Sequence, residues 1–195
     1  MMFGREIAFP RRCKAYGQDY SFTGQVANAA PLAQSHALVQ EVVSAANSVD
    51  ELSQHNGLLL NYYDAAKGEY IGPHSDDEGD LVRGAPILSL SWCTRGHYRR
   101  FRLTTKPGVK DAPLPSWGGL KPGIMHVKNG DLIVMGGECQ RTHKHEIMKS
   151  TKALPESSGR RINLTLRAFK QQTRKRAREQ VAEADEHGGP VPRPA

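Results

Sequence analysis

Cysteine is scarce in this chain, and the few that occur form no recognisable pattern. The 195 residues include three cysteines, Cys13, Cys93 and Cys139, an odd number without the close spacing of a metal-binding motif. This excludes a disulfide framework and a cysteine-based zinc site. It fits reduced thiols in the cytoplasm or the nucleus.

Long apolar runs are also missing. No stretch approaches the length of a membrane span, and the N-terminus has no apolar signal-peptide core. We therefore expect an intracellular protein with no membrane contact, located in the nucleus or the cytoplasm. We expect it to act as a monomer.

Acidic residues are fewer than basic ones. The 27 Lys and Arg residues outnumber the 20 Asp and Glu residues, which gives a net charge of +7. Such a charge suits a phosphate-bearing partner. The middle of the chain lacks a linker that would divide it into two domains. From residue 171 onward the composition turns basic and then rich in Pro and Gly, which predicts a disordered tail.

Short apolar segments separated by Gly, Pro and Asn predict a β-rich core. Apolar residues at helical spacing over 31–47 predict a helix that backs a sheet. The Asn129-Gly130 pair predicts a hairpin connection, because it favours the primed turns that match strand twist. The fold class is therefore mostly β with flanking helices, a single cupin-like double-stranded β-helix (jelly roll) whose interior can enclose a ligand. Strands are predicted at 58–60, 87–91, 99–103, 132–135 and 162–166.

Two histidines and an aspartate suggest a metal site. His74 and Asp76 are two residues apart and would share one face of a strand. A later histidine would complete the two-His, one-carboxylate set that binds non-haem Fe(II) and leaves coordination positions open. His143 and His145 both qualify, since alternation places them on the same strand face.

The segment from Arg161 to Arg167 suggests an anion site. Arg161, Asn163, Thr165 and Arg167 alternate with three apolar residues, a pattern typical of a half-buried strand. Two arginines on one strand face could hold both carboxylates of a dicarboxylate through charge-assisted hydrogen bonds. Beside an Fe(II) site, that dicarboxylate would be 2-oxoglutarate.

Taken together, these elements resemble the AlkB family of Fe(II)/2-oxoglutarate-dependent dioxygenases, particularly its nucleic-acid dealkylases. The likeness covers most of residues 3–168, and its N-terminal part follows the branch that works on duplex DNA. It rests on Phe3-Gly4, Pro10-Arg11, Tyr16-Gly17, Tyr20-Ser21-Phe22-Thr23-Gly24, Asn61-Tyr62-Tyr63, His74-Ser75-Asp76-Asp77-Glu78 and the complete Arg161 to Arg167 run.

The resemblance implies Fe(II) as cofactor, with 2-oxoglutarate and O2 as cosubstrates. Relatives place the third metal ligand at a roughly constant distance after a hydrophobic strand ending in Met, and counting from Met135 selects His145. His143 would then be a neighbouring pocket group. Arg161 would bind the distal carboxylate of 2-oxoglutarate, and Arg167 would support the end that chelates iron. The remaining cosubstrate contacts would come from Asn61, Tyr63, Asn163 and Thr165, with catalysis assigned to His74, Asp76 and His145.

The implied substrate is a base with an N-methyl group, in DNA or RNA. 1-Methyladenine and 3-methylcytosine are cationic at neutral pH, so carboxylates from Asp77 and Glu78 would favour them over undamaged bases. The flipped base would stack on Tyr20 and Phe22. Arg11 would contact the nucleic acid. Phe3 and Gly4 would form a finger inserted into the base stack.

The resemblance also implies three segments and one reaction. Residues 1–25 would cover the substrate, residues 26–170 would form the dioxygenase domain, and residues 171–195 the tail. The reaction would be oxidative demethylation, yielding formaldehyde and succinate.

Rival functions stay open. A dioxygenase of the same fold could act on protein, lipid or another RNA modification. A binding module without catalysis and a cupin-like sugar or metal-storage protein are the others. The preference for single- or double-stranded nucleic acid is also open, because Lys149-Ser150-Thr151-Lys152 has fewer basic residues than the compact basic loop of duplex-acting relatives.

Overall fold

The structure, a computed structural model, describes residues 11–22, 25–49, 54–76, 79–151, 153–157 and 159–170. Its strands are β1 Arg12–Tyr16, β2 Tyr20–Phe22, β3 Gln25–Ala27, β4 Ala29–Ala30, β5 Gly57–Asp64, β6 Ile71–His74, β7 Ile87–Cys93, β8 Arg99–Thr105, β9 Ile124–Val127, β10 Leu132–Met135, β11 His143–Ile147 and β12 Arg160–Arg167. Its α-helices are α1 Ala37–Val49 and α2 Cys139–Thr142, and short 3-10 turns cover Leu32–Gln34, Ala65–Lys67 and Pro155–Ser157.

Two sheets face each other, as the predicted jelly roll requires. The larger has six strands in the order β10-β7-β12-β5-β1-β4, and the smaller has four in the order β6-β11-β8-β9. The five strands predicted from apolar segments each lie within an observed one, and the predicted fold class is confirmed. β2 and β3 form a separate two-stranded ribbon. β1, although it falls within the predicted segment 1–25, pairs with β5 in the larger sheet.

The alternation in β12 is explained by what covers its two faces. Leu164 and Leu166 are buried and form one core cluster with Leu58 and Val43 of α1. Buried on the opposite face are Arg161, Asn163, Thr165 and Arg167. A second cluster, which includes Tyr63, Phe101 and Ile147, fills the space between the sheets. The interior of the barrel therefore has an apolar part and a polar part, and the polar part holds the candidate site.

The helix predicted over 31–47 begins later in the structure than in the prediction. Leu32–Gln34 is a 3-10 turn that ends at Ser35, whose backbone is extended, and α1 begins only at Ala37. The Gln40 side chain donates to the carbonyls of Ala33 and Ser35 at 3.0 and 2.8 Å. These carbonyls are therefore satisfied without a continuous helix.

The Asn129-Gly130 turn forms, but the predicted hairpin is wrong. Gly130 has a φ of +86°, and the Asp131 carboxylate accepts a hydrogen bond from the Lys128 amide at 2.7 Å. The strands on either side lie in different sheets, since β9 pairs with β8 and β10 pairs with β7. The Asn129 side chain accepts from the Cys93 amide at 3.2 Å, and this contact ties the turn to β7. The turn thus links the two sheets.

Among the helices that the structure describes, none has the length and apolar character needed to cross a membrane.

Candidate active site

His74 and His145 lie side by side on neighbouring strands of the smaller sheet. His74 ends β6, and its backbone partner on β11 is His145. The two imidazole rings are 4.2 Å apart between centroids. The predicted shared strand face of His74 and Asp76 is wrong, because β6 ends at His74 and Asp76 lies beyond it. The Asp76 carboxylate oxygen nevertheless lies 3.8 Å from His74 Nε2. Strand pairing therefore assembles residues that are far apart in the sequence.

These three side chains can serve as ligands of one metal ion. One ligand atom from each lies within 4.8 Å of the other two. His74 Nδ1 lies 3.0 Å from the Gly72 carbonyl oxygen, a contact that requires the proton on Nδ1 and leaves Nε2 free for a metal. Two nitrogens and one carboxylate oxygen suit Fe(II). The residues present therefore fit the metal that the sequence implies.

Neighbouring groups hold the three side chains in the protonation states that bind metal. Burial is the largest cause acting on Asp76 and opposes its ionisation, but Arg167, His145, His74 and the Tyr20 hydroxyl together hold its pKa well below the usual range. Burial lowers the pKa of His145 to about 3. Burial also lowers the pKa of His74. Near neutral pH the carboxylate is thus ionised and both imidazoles are neutral.

Arg167 and Tyr20 fix the orientation of Asp76. Arg167 donates from Nη2 and Nε to one carboxylate oxygen at 2.7 and 3.1 Å. Tyr20 donates its hydroxyl hydrogen to the other oxygen at 2.7 Å. The Arg167 guanidinium also lies 4.2 Å from the centre of the Tyr20 ring. The structure therefore gives Arg167 a contact with the candidate metal ligand Asp76 that sequence reasoning missed.

His143 does not join the three candidate ligands. It lies two residues before His145 on β11, where its backbone partner is Thr105 of β8. Its Nδ1 is 2.8 Å from the Thr142 hydroxyl, and its buried Nε2 has no hydrogen-bond partner among the described residues. The geometry favours His145 as the third ligand, although metal binding by any of these residues stays a prediction.

The Arg161 side chain occupies the polar interior beside Tyr63. It is 2% exposed, and its Nη2 and Nε donate to the Ser91 hydroxyl at 2.9 and 3.3 Å. Its guanidinium carbon is 5.4 Å from the centre of the Tyr63 ring. In the described ranges no carboxylate forms an ion pair with it. A buried cation without a protein anion fits a carboxylate-bearing cosubstrate.

Hydrogen bonds link the other predicted cosubstrate residues to the strands around them. Asn163 donates to the Ser89 hydroxyl at 2.8 Å and accepts from Thr165 at 2.8 Å. Asn61 accepts from Arg11 Nε at 2.9 Å. Asn61 and Asn163 are backbone partners across β5 and β12. The structure brings these residues to the same interior face, where they stiffen the wall beside Arg161.

Sequence reasoning missed three polar residues of this interior. Ser89 and Ser91 alternate with leucines in β7, a signal that was available. Gln140 accepts a hydrogen bond from the Asp76 amide at 2.9 Å and so fixes the backbone of that ligand. Gln140 belongs to a single helical turn, and its sequence carries no comparable pattern.

The predicted substrate residues are only partly within the described structure. Tyr20 is 5% exposed and contacts Asp76 and Arg167. Arg11 is 6% exposed and contacts Asn61, a cosubstrate residue. Base stacking by Tyr20 and nucleic-acid contact by Arg11 stay predictions. Phe3, Gly4, Asp77, Glu78, the side chain of Phe22 and the tail 171–195 lie outside the described residues.

A cavity of about 560 Å³ opens beside the candidate metal site. Asp76 and Arg167 line one part of it, and Ile87 and Met135 contribute apolar surface. Glu138, a carboxylate in the wall, is already paired with Arg141. The other basic residues that line the cavity are Arg83, Lys106 and Lys170. The wall is thus predominantly cationic and reaches the metal carboxylate.

Comparison with known proteins agrees with this geometry. A family model described as the 2OG-Fe(II) oxygenase superfamily matches residues 7–167. A DNA oxidative demethylase, ALKBH2 of Arabidopsis thaliana, is 33% identical over 141 residues, which are 66% of this chain and 42% of that protein. ALKBH2 of Homo sapiens, also a DNA oxidative demethylase, is 27% identical over 169 residues, 85% of this chain and 59% of that protein. The chain spans about half the length of the curated relatives it matches.

A solved structure gives a weaker likeness. A Pseudomonas putida prolyl-4-hydroxylase aligns with a TM-score of 0.41 and 12% identity, over 82% of this chain and 73% of that one. So low a score carries no argument about function.

Proposed function

The chain belongs to the 2OG-Fe(II) oxygenase superfamily, and on that premise we propose that it demethylates N-alkylated bases in DNA by oxidation. The AlkB-family resemblance predicted from the sequence is confirmed by the family match and the relatives. As an Fe(II)/2-oxoglutarate-dependent oxygenase, it uses Fe(II), 2-oxoglutarate and O2. The proposed substrates are 1-methyladenine and 3-methylcytosine, and the products are formaldehyde, succinate and carbon dioxide.

The cationic cavity beside Asp76 is the observation that carries this proposal. Its volume of about 560 Å³ lies within the range of small-molecule sites and is compatible with a single extruded base. Arg83, Lys106 and Lys170 would meet the phosphates that flank such a base. The relatives that are DNA oxidative demethylases support the same substrate class.

In the proposed mechanism the protein contributes geometry and charge. Bound Fe(II), together with 2-oxoglutarate and O2, supplies the oxidising chemistry. His74, Asp76 and His145 would hold the metal, and Arg167 and Tyr20 keep Asp76 ionised and aimed at it. Arg161 would hold the far end of 2-oxoglutarate. The methyl carbon gains a hydroxyl group whose oxygen comes from O2. The hydroxyl then loses its proton to solvent as the C–N bond breaks, so that the carbon leaves as formaldehyde and the ring nitrogen keeps the bonding electrons.

Phe101 and the surrounding apolar cluster limit water near the site. The Phe101 ring stacks on His145 with centroids 5.8 Å apart, and Phe101 is 3% exposed. Excluding water strengthens the interactions of the charged groups beside it. The apolar side of the barrel thus supports the polar side.

A direct assay tests the proposal. The purified protein with Fe(II) and 2-oxoglutarate should convert 1-methyladenine and 3-methylcytosine in DNA oligonucleotides to the unmodified bases, as measured by mass spectrometry. Formaldehyde and succinate should appear in equal amounts with each repaired base. Omitting 2-oxoglutarate, or substituting Asp76→Ala, should stop the reaction.

The same assay separates the rival substrates. Matched methylated RNA and methylated peptide should be included, with single- and double-stranded DNA compared in parallel. Coupled turnover on RNA or peptide without turnover on DNA would overturn the proposed substrate. It would leave the enzyme class in place.

A further inference from the structure

Arg99 is a buried cation that the proposed mechanism has not used. It begins β8, is 1% exposed, and shares its strand face with Phe101 and Leu103. That face points into the barrel, because Phe101 stacks on His145. Arg99 therefore lies inside the molecule, on the sheet opposite the strand that carries Arg161.

Arg99 and Arg161 approach the same phenol from different sheets. The Arg99 guanidinium carbon is 5.7 Å from the centre of the Tyr63 ring, and that of Arg161 is 5.4 Å from it. Burial lowers the pKa of Arg99, and the charge of Arg161 lowers it further. Two like charges thus share one dry compartment, an arrangement that costs free energy unless an anion joins them.

Within the described part of the chain, burial lowers the pKa of Arg99 and the Glu69 carboxylate acts to raise it, but Glu69 forms no ion pair with Arg99. No ion pair there includes Arg99 or Arg161. Arg99 Nη2 donates to the carbonyls of Glu69 and Met148 at 2.7 and 3.2 Å. Its buried Nε and Nη1 have no hydrogen-bond partner among the residues that the structure describes. The Glu69 carboxylate accepts instead from the Asp64 amide at 2.6 Å. Two donors of a buried guanidinium thus remain for a ligand.

Tyr63 adds a neutral donor to this compartment. Burial raises the pKa of its hydroxyl, although Arg11, Arg161 and Arg99 each act in the opposite direction. Tyr63 therefore keeps its proton near neutral pH and can donate it to an oxygen. Two guanidinium groups and a phenol form a cluster suited to a carboxylate.

We propose that Arg99 is a second arginine for the distal carboxylate of 2-oxoglutarate, which is held between Arg99 on one sheet and Arg161 on the other. This deepens the proposed function and rests on it for the identity of the anion. Arg99 would make the site selective for 2-oxo acids that carry a second carboxylate. A 2-oxo acid without that group leaves two buried cations unpaired.

The test compares two ligands that differ only at the distal end. 2-Oxoglutarate and 2-oxopentanoate have the same chelating head and chain length, but 2-oxopentanoate has a methyl group in place of the distal carboxylate. Binding of each to Mn(II)-loaded protein is measured by calorimetry without nucleic acid, with 2-oxopentanoate measured by competition. Arg99→Met should weaken 2-oxoglutarate binding by about tenfold or more, since a hydrogen bond to a charged group is lost. Binding of 2-oxopentanoate should be unchanged.

Arg100→Met is the matched control. Arg100 follows Arg99 on β8, faces the other side, and donates to the Lys149 carbonyl at 3.0 Å. Its loss removes a comparable backbone contact and should leave both affinities unchanged. Should Arg99→Met fail to fold, Arg99→Lys is the second variant, because lysine keeps the positive charge but lacks the planar guanidinium that can form two hydrogen bonds with a carboxylate. It should give a smaller loss confined to 2-oxoglutarate.

The outcomes are distinct. Equal weakening of both ligands, or unchanged 2-oxoglutarate binding, would overturn the proposal and leave Arg99 as a tie between backbone segments. No DNA enters this experiment. A selective loss of 2-oxoglutarate affinity in Arg99→Met would therefore support the role of Arg99 even if the protein failed to demethylate DNA. If the protein demethylates DNA but Arg99→Met binds 2-oxoglutarate normally, only the proposed role of Arg99 is refuted.

Discussion

At the scale of single residues, the site depends on how neighbours restrict each ligand. Asp76 accepts hydrogen bonds from Tyr20 and Arg167, and its backbone amide donates to Gln140. His74 is fixed by the Gly72 carbonyl. Asp76 and His74 are thus held in place before a metal arrives, which would reduce the ordering cost of binding.

His145→Ala should abolish stoichiometric metal binding, because it removes one of three clustered ligand atoms. His143→Ala should retain the site, since that imidazole contacts Thr142 instead. Titration with Mn(II) or Co(II), monitored by calorimetry or absorption, measures both. Normal binding by the first variant beside loss in the second would reverse the assignment of these histidines.

Tyr20→Phe should weaken metal affinity by about tenfold or more, the usual loss when a partner of a ligating group is removed. The substitution deletes the hydroxyl that donates to Asp76 at 2.7 Å and keeps the ring beneath Arg167. Tyr62→Phe is the control, because Tyr62 stacks against Arg12 on the surface of the sheet. Equal affinities in the two variants would show that the Tyr20 hydroxyl does not support the metal site.

Sequence patterns predicted which residues belong to the site better than they predicted which of those residues contact one another. Alternation placed Arg161, Asn163, Thr165 and Arg167 on one face, and the structure buries all four. The ion pair of Arg167 with Asp76 joins positions 91 residues apart, and no local pattern encodes such a pairing. No sequence pattern singles out Arg99, because arginine is usually exposed to solvent.

At the scale of elements, β12 joins the hydrophobic core to the site. Its apolar face packs on α1, and its polar face lines the interior. It pairs with β5 on one side and β7 on the other, so Arg161 lies opposite Tyr63 and Cys93. Stability of this strand therefore determines how well the cosubstrate residues are positioned.

Leu164→Ala should lower the free energy of unfolding by about 2–5 kcal/mol, through lost burial and a cavity beneath α1. Leu164 is 1% exposed, whereas Ile162, on the same face of the same strand, is 44% exposed. Ile162→Ala should therefore cost much less. Denaturant unfolding of both variants tests this, and similar losses would contradict the assigned packing of β12.

Local sequence patterns could not predict how strands pair across a turn or where a helix begins. The Asn129-Gly130 pair correctly indicated a tight turn, but the sheets that its flanking strands join depend on long-range pairing. The helix start was misplaced because the apolar spacing continues through Ser35, where the backbone is extended. In both cases tertiary contacts decided what periodicity could not.

At the scale of the whole molecule, a net charge of +7 favours approach to a polyanion, and the cavity concentrates basic side chains beside the site. Association would be guided by the overall field. Position would be set by the few cations that border the cavity. The long-range attraction depends on net charge and is screened by salt, whereas the contacts beside the cavity depend on where each cation lies.

Arg83→Glu should weaken binding of DNA oligonucleotides and reduce the slope of log affinity against log salt concentration, because a phosphate contact is lost. Lys128→Glu makes the same change in net charge at an exposed position of the β9–β10 turn, outside the cavity. It should have a smaller effect if location matters, whereas equal effects would mean that only the overall field acts. Fluorescence anisotropy at several salt concentrations measures the slope, with methylated and unmethylated strands compared. Binding of 2-oxoglutarate to Mn(II)-loaded protein should be unchanged in both variants, because neither substitution alters a predicted cosubstrate residue. A selective loss of DNA affinity in Arg83→Glu would therefore identify the cavity as the substrate entrance.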